Sequence, residues 1–158
     1  MIRSTVFVAL LASISVHTSL AAPRAAPDSV QSVIFAEETG RFLALSASGK
    51  VSANADMGSP EANLFVYYLS DNMIQLKSAN PEKECYLVFE DGEFRAGKAD
   101  DKNSIFEVVG QDERGSVGQV ALRPVTATDC YLGFSNPESE PACYPSTELA
   151  ATRLGIFQ

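Results

Sequence analysis

A chain of 158 residues with 20 Asp and Glu against 12 Lys and Arg has a formal net charge of −8, which disfavours nucleic acid and sulfated glycans as partners. Its single histidine is His17, it has no Trp, and it has three cysteines. The length suits one domain built on one hydrophobic core.

The first segment, Met1 to Ala22, places Arg3 before an apolar run from Val6 to Val16 and ends in the small residues Ser19 and Ala21. This is the pattern of a secretory signal peptide. The run falls short of the roughly 20 apolar residues a membrane helix needs, so export is expected and membrane insertion is not. Cleavage would remove Arg3 and His17, leaving 20 acids against 11 bases and no imidazole for catalysis, proton transfer or metal ligation. Residues 23–31, rich in Ala and Pro, read as a flexible lead-in or short pro-segment, with the folded domain over residues 32–158. No Asn-x-Ser/Thr sequon is present.

From Ser32 onward the chain repeats itself. The pairs Phe42-Leu43, Tyr86-Leu87 and Tyr131-Leu132 recur at spacings of 44 and 45 residues, each opening an aromatic-Leu-x-apolar strand that ends at Leu45, Phe89 or Phe134. A short apolar strand precedes each pair: "SVIFA" at Ser32, "MIQLK" at Met73 and "QVALR" at Gln119. In the first two copies a tight turn with Gly49 or Gly92 leads to a third strand reaching Val51 or Phe94. In the third copy the longer run "SNPESEP" takes the place of that turn. A fourth strand closes each copy: "NLFVYYL" at Asn63, "SIFEVV" at Ser104 and "RLGIFQ" at Arg153. No segment after the leader sustains a helical period. Three units of four short strands predict an all-β fold, a β-trefoil of three pseudo-repeats whose strands close a barrel and remove exposed edges. An irregular β-sandwich is the competing architecture. The aromatic-Leu pairs, with Phe42, Leu45, Tyr86, Phe89, Tyr131 and Phe134, are expected in the core around the barrel axis.

Of the cysteines, Cys130 and Cys143 flank a turn centred on residues 136 and 137, so a hairpin there would set them opposite each other as a disulfide. The alternative is three reduced, inert thiols. Cys85 is expected as a buried thiol in a monomer, and it is the residue through which a dimer could form.

Catalytic chemistry has little to work with. The acid pairs Glu37-Glu38, Glu90-Asp91, Asp100-Asp101 and Asp112-Glu113 fall at strand ends and turns, unlike the opposed carboxylates of a glycosidase cleft. "DDKN" lacks the alternating acids and glycine of a calcium loop, and no nucleophile elbow or phosphate loop occurs. A non-enzyme without cofactor or metal is expected.

The stretches "GRFLALSASGKVSA" and "IQLKSANPEKECYLVFEDGEFRAGKADDKNSIFEVV" carry a family resemblance. The span from Phe35 to Phe157 resembles the secreted β-trefoil cytokines, most nearly the fibroblast growth factors, with the interleukin-one group behind them. Fascin-type actin-binding trefoils share the same Tyr-Leu marks, but an intracellular target fits poorly with a leader. The growth-factor resemblance implies that Glu107, in "IFEVV", meets a receptor arginine. The basic heparin loop it also implies is missing, since Gly133 to Thr152 contains no Lys or Arg, so heparin is not expected. Nor does "GQDERGSVG" hold the receptor-facing tyrosines of that family. The expectation is a secreted ligand acting by protein contacts with an extracellular receptor. The alternatives are a protease inhibitor or lectin-like effector using the Ser135 to Pro141 hairpin, and an acidic matrix protein. Partner-binding residues are expected at Glu107, in the loop with Asp112, Glu113 and Arg114, and on the hairpin at Asn136, Glu138 and Glu140.

Overall fold

A computed structural model describes residues 28–110, 119–145 and 152–158 of the chain. The proposed leader and the loop with Asp112, Glu113 and Arg114 lie outside the described residues.

Among the described residues twelve strands follow in order: β1 (Ser29–Ala36), β2 (Arg41–Leu45), β3 (Val51–Ala55), β4 (Leu64–Ser70), β5 (Met73–Ser78) and β6 (Tyr86–Glu90). They continue with β7 (Glu93–Gly97), β8 (Phe106–Gly110), β9 (Gln119–Pro124), β10 (Tyr131–Gly133), β11 (Ala142–Tyr144) and β12 (Leu154–Phe157). A 3₁₀ turn, Pro60–Ala62, precedes β4.

The first and fourth strands of each unit form a closed ring. β1 pairs with β4, β4 with β5, β5 with β8, β8 with β9, β9 with β12, and β12 returns to β1, all antiparallel. Closure leaves no barrel strand with an unpaired edge. The alternation of apolar residues explains the inward face: Ile34 and Ala36 of β1, Leu64 and Val66 of β4, and Ile74 and Leu76 of β5 are buried at every second position. The remaining strands form three hairpins, β2–β3, β6–β7 and β10–β11. This six-stranded barrel with three hairpins is the β-trefoil expected from the repeat.

The hairpins show why the repeated pair is needed. Leu43, Leu87 and Leu132 are all fully buried in one core cluster. Burying each such side chain contributes about 1.5–3 kcal/mol. The aromatic partner cannot share that position, because consecutive strand residues point to opposite faces. Phe42, Tyr86 and Tyr131 are therefore only half-buried, which corrects the expectation that they line the axis. Each instead packs on the outer flank against the first strand of its own unit. The Phe42 ring lies 5.5 Å from that of Phe35, Lys77 Nζ is 5.7 Å above Tyr86, and Arg123 Cζ is 5.9 Å above Tyr131. Phe89 is likewise half-buried, against Phe94 across the hairpin at 4.8 Å, whereas Leu45 and Phe134 are buried as expected.

Two further expectations are corrected. The strand begins before residue 32: Ser29, Val30 and Gln31 pair with Tyr67, Val66 and Phe65 of β4, so the end of the supposed lead-in is barrel wall. The third hairpin does bridge Cys130 to Cys143, with Cα atoms 4.8 Å apart. Its register, however, sets Leu132, not Cys130, opposite Cys143, so the bridge is a diagonal one. Cys85 is free and buried. Burial pushes its thiol pKa up, against a hydrogen bond with Ser78.

Candidate functional site

The turn of β2–β3, strand β7 and the end of the β10–β11 turn converge on a cleft of about 410 Å³. The first wall is Ser48, Gly49, Lys50 and Val51, the second Glu93, Phe94 and Arg95, and the third Glu140 and Pro141.

Local chemistry fixes each wall. In the first, Ser46 N donates to Lys50 O at 2.9 Å and Gly49 N donates to Ser46 O at 3.0 Å, closing a turn that needs φ of 92° at Gly49. Ala96 N then donates to Gly49 O at 3.0 Å, fastening this turn to β7. In the second, β7 alternates: Phe94 and Ala96 point into the core, and Glu93 and Arg95 point out. Its connection to β6 is a two-residue turn in which Asp91 and Gly92 have φ of 53° and 80°, the backbone of a type I′ hairpin. In the third, Asn136 and Ser139 hold the loop. Ser139 Oγ donates to Asn136 O at 2.7 Å and accepts from Ser135 N and Asn136 N, while Asn136 Oδ1 accepts from Glu138 N at 3.0 Å.

The charges of the cleft are unevenly satisfied. Arg95 and Glu93 pair at 2.9 Å. Lys50 and Glu140 are exposed and have no ion pair among the described residues. The cleft can therefore hold a polar partner through one cation and one carboxylate, above a floor of Val51, Phe94 and Pro141.

The residues singled out from sequence separate. Glu140 lies in the cleft. Asn136 uses its side chain to shape the loop, and Glu138 is exposed on the same loop. Glu107 is far from free: its carboxylate accepts from Arg123 Nε at 3.0 Å and from Arg123 Nη2, and Asn72 Nδ2 donates to it at 3.4 Å. Glu107 and Arg123 face each other across β8 and β9, and the carboxylate pushes the guanidinium pKa up. Lys50, Glu93 and Arg95 were not anticipated. The signal that could have found them is the repeat itself, because Gly49 and Gly92 mark turns that a threefold arrangement gathers at one end.

At "DDKN" the Asp100 carboxylate accepts from Lys102 N at 2.9 Å and Asn103 N at 2.7 Å, which lowers its pKa and makes the motif a self-capped turn. Among the described residues no group of three His, Cys, Asp or Glu is placed to hold a metal ion.

No protein-family model matches the chain, and no curated protein matches it in sequence. Among solved structures it is similar to the crystal structure of the designed threefold-symmetric protein ThreeFoil. The TM-score is 0.66 at 13% identity, over 81% of this chain and 98% of that one. The likeness is one of fold.

Proposed function

We propose that the chain is an exported, non-enzymatic binding protein that engages a protein partner with the hairpin-capped end of its barrel. The observation that carries this reading is the cleft between the three hairpin walls, where Lys50 and Glu140 stand exposed and without an ion pair among the described residues, on a closed scaffold. Binding groups on turns held by a rigid frame are a common use of such architectures. The leader-like segment at Met1 to Ala22 and the Cys130–Cys143 disulfide support an extracellular setting. Four of the carboxylates, Glu37, Glu84, Glu93 and Glu107, are each engaged by an arginine or lysine, which makes these four poor candidates for acid or base catalysis. A signalling ligand built like a growth factor would lean on Glu107, and its bond to Arg123 weakens that version. A ligand or inhibitor that uses the third hairpin fits better.

Capture from extracellular fluid and cell-surface extract tests this reading, comparing the chain with a form in which only the loop Ser135 to Pro141 is replaced by a short turn, so that Leu132, Phe134 and the Cys130–Cys143 bridge are kept. Capture of a receptor ectodomain or a protease by the native form alone is expected. Equal capture by both forms would move the binding surface off the hairpin end.

A further inference from the structure

The cleft is charged with both signs, and only half of its charge is satisfied internally. Arg95 and Glu93 neutralise each other at 2.9 Å, leaving Lys50 on the first turn and Glu140 on the third as the groups open to a ligand. A ligand carrying one sign of charge meets one attraction and one repulsion there. A ligand with an acid and a base close together meets two attractions. The cleft, about 410 Å³ and open to solvent along one side, has room for a short stretch of extended peptide. The walls are held beforehand, by the Ala96 N to Gly49 O bond on one side and by the Asn136–Ser139 network with the Cys130–Cys143 bridge on the other. Little ordering is left for the binding step to bring about.

Resting on the reading that this end of the barrel binds a partner, we propose that the cleft takes a peptide segment in which an acidic and a basic side chain are near neighbours. The acid meets Lys50 and the base meets Glu140, while the aliphatic stems lie over Pro141. Polyanions and polycations meet one attraction and one repulsion at the same pair and so bind more weakly than the mixed sequence.

The test is a titration of the full, ¹⁵N-labelled chain, followed by NMR, with four capped pentapeptides: Gly-Lys-Gly-Glu-Gly and its Lys-Lys, Glu-Glu and Ser-Ser counterparts. Saturable shifts at the amides of Lys50, Arg95 and Glu140 are expected to be tightest with the mixed peptide, with the Lys-Lys, Glu-Glu and Ser-Ser peptides weaker by roughly two- to fivefold or more. Lys50→Glu or Glu140→Lys alone should weaken that binding roughly two- to fivefold, the range of an exposed ion pair. The double variant should recover it and prefer the reversed order Glu-Gly-Lys. Both positions are exposed, so the variants are expected to fold. Equal response to all four peptides, no response to any, or a double variant that recovers nothing would overturn the proposal. If the peptides fail while exchange of the loop Ser135 to Pro141 still abolishes partner capture, the ligand assignment falls and the binding role of the hairpin end stands.

Discussion

The second and third hairpins occupy equivalent places in the fold and are held by different means. β6–β7 turns on two residues, Asp91 and Gly92, and is joined through β6 to the large sheet, where Lys77 pairs with Tyr86. β10–β11 has only three residues in each strand, forms a sheet of its own, and carries a disulfide beside a longer Asn136–Ser139 loop. Both insert a leucine into the same core, Leu87 and Leu132. The comparison teaches that burial of that leucine is the shared requirement, and that turn chemistry and a covalent bridge are interchangeable ways of meeting it. The longer loop also brings Glu140 and Pro141 to the cleft.

The largest test of that equivalence is at the leucines. Leu87→Ala and Leu132→Ala should each cost about 2–5 kcal/mol in chemical denaturation, since both side chains are fully buried. A large gap between the two would show that the third hairpin contributes to the core in a different way. Next comes the bridge: Cys143→Ser should cost about 2–4 kcal/mol. The accompanying loss of hydrogen-exchange protection should be confined to Tyr131 to Tyr144. The second hairpin can then be given the device of the third. Cys85 stands two residues before Leu87, as Cys130 stands before Leu132, and the residue opposite Leu87 is Ala96, as Cys143 is opposite Leu132. Ala96→Cys should therefore oxidise with Cys85 and stabilise the hairpin by up to about 3 kcal/mol, read by mass spectrometry and melting.

Gly92→Ala removes a positive-φ turn residue that the second hairpin uses and the third does not. At φ of 80° a side chain is strained, so a loss of about 1–2 kcal/mol is expected with no counterpart in the third. The smallest effect concerns the ion pairs beside the outer tyrosines. Glu107→Gln should cost more than Glu84→Gln, because the Glu107 side chain is 28% exposed and that of Glu84 is 69% exposed. Solvent screening holds both to about 1 kcal/mol or less.

Much of the barrel is legible in the one-dimensional pattern. The recurrence of "FL", "YL" and "YL" with glycine turns marks the hairpins, and alternation along "SVIFA" and "MIQLK" marks the inward faces. The misreading of Phe42, Tyr86 and Tyr131 had its correction in the same pattern, since neighbours in a strand cannot both face the core. The site was far less legible. Glu140 drew notice only through its proline-rich loop, and Glu107 only through a family resemblance, while Lys50, Glu93 and Arg95 read as ordinary turn and strand-edge charges.

By itself, then, the sequence determined the number of units, their strand order and the leucine each commits to the core, because these follow from local periodicity and turn chemistry. Three things were decided only by the tertiary structure: the pairing of Glu107 with Arg123, the diagonal register of the disulfide, and the meeting of Lys50 with Glu140 across a cleft. The first two depend on strand register between residues 16 and 13 positions apart in the chain, and the third on the gathering of turns from different units; local periodicity sets none of these.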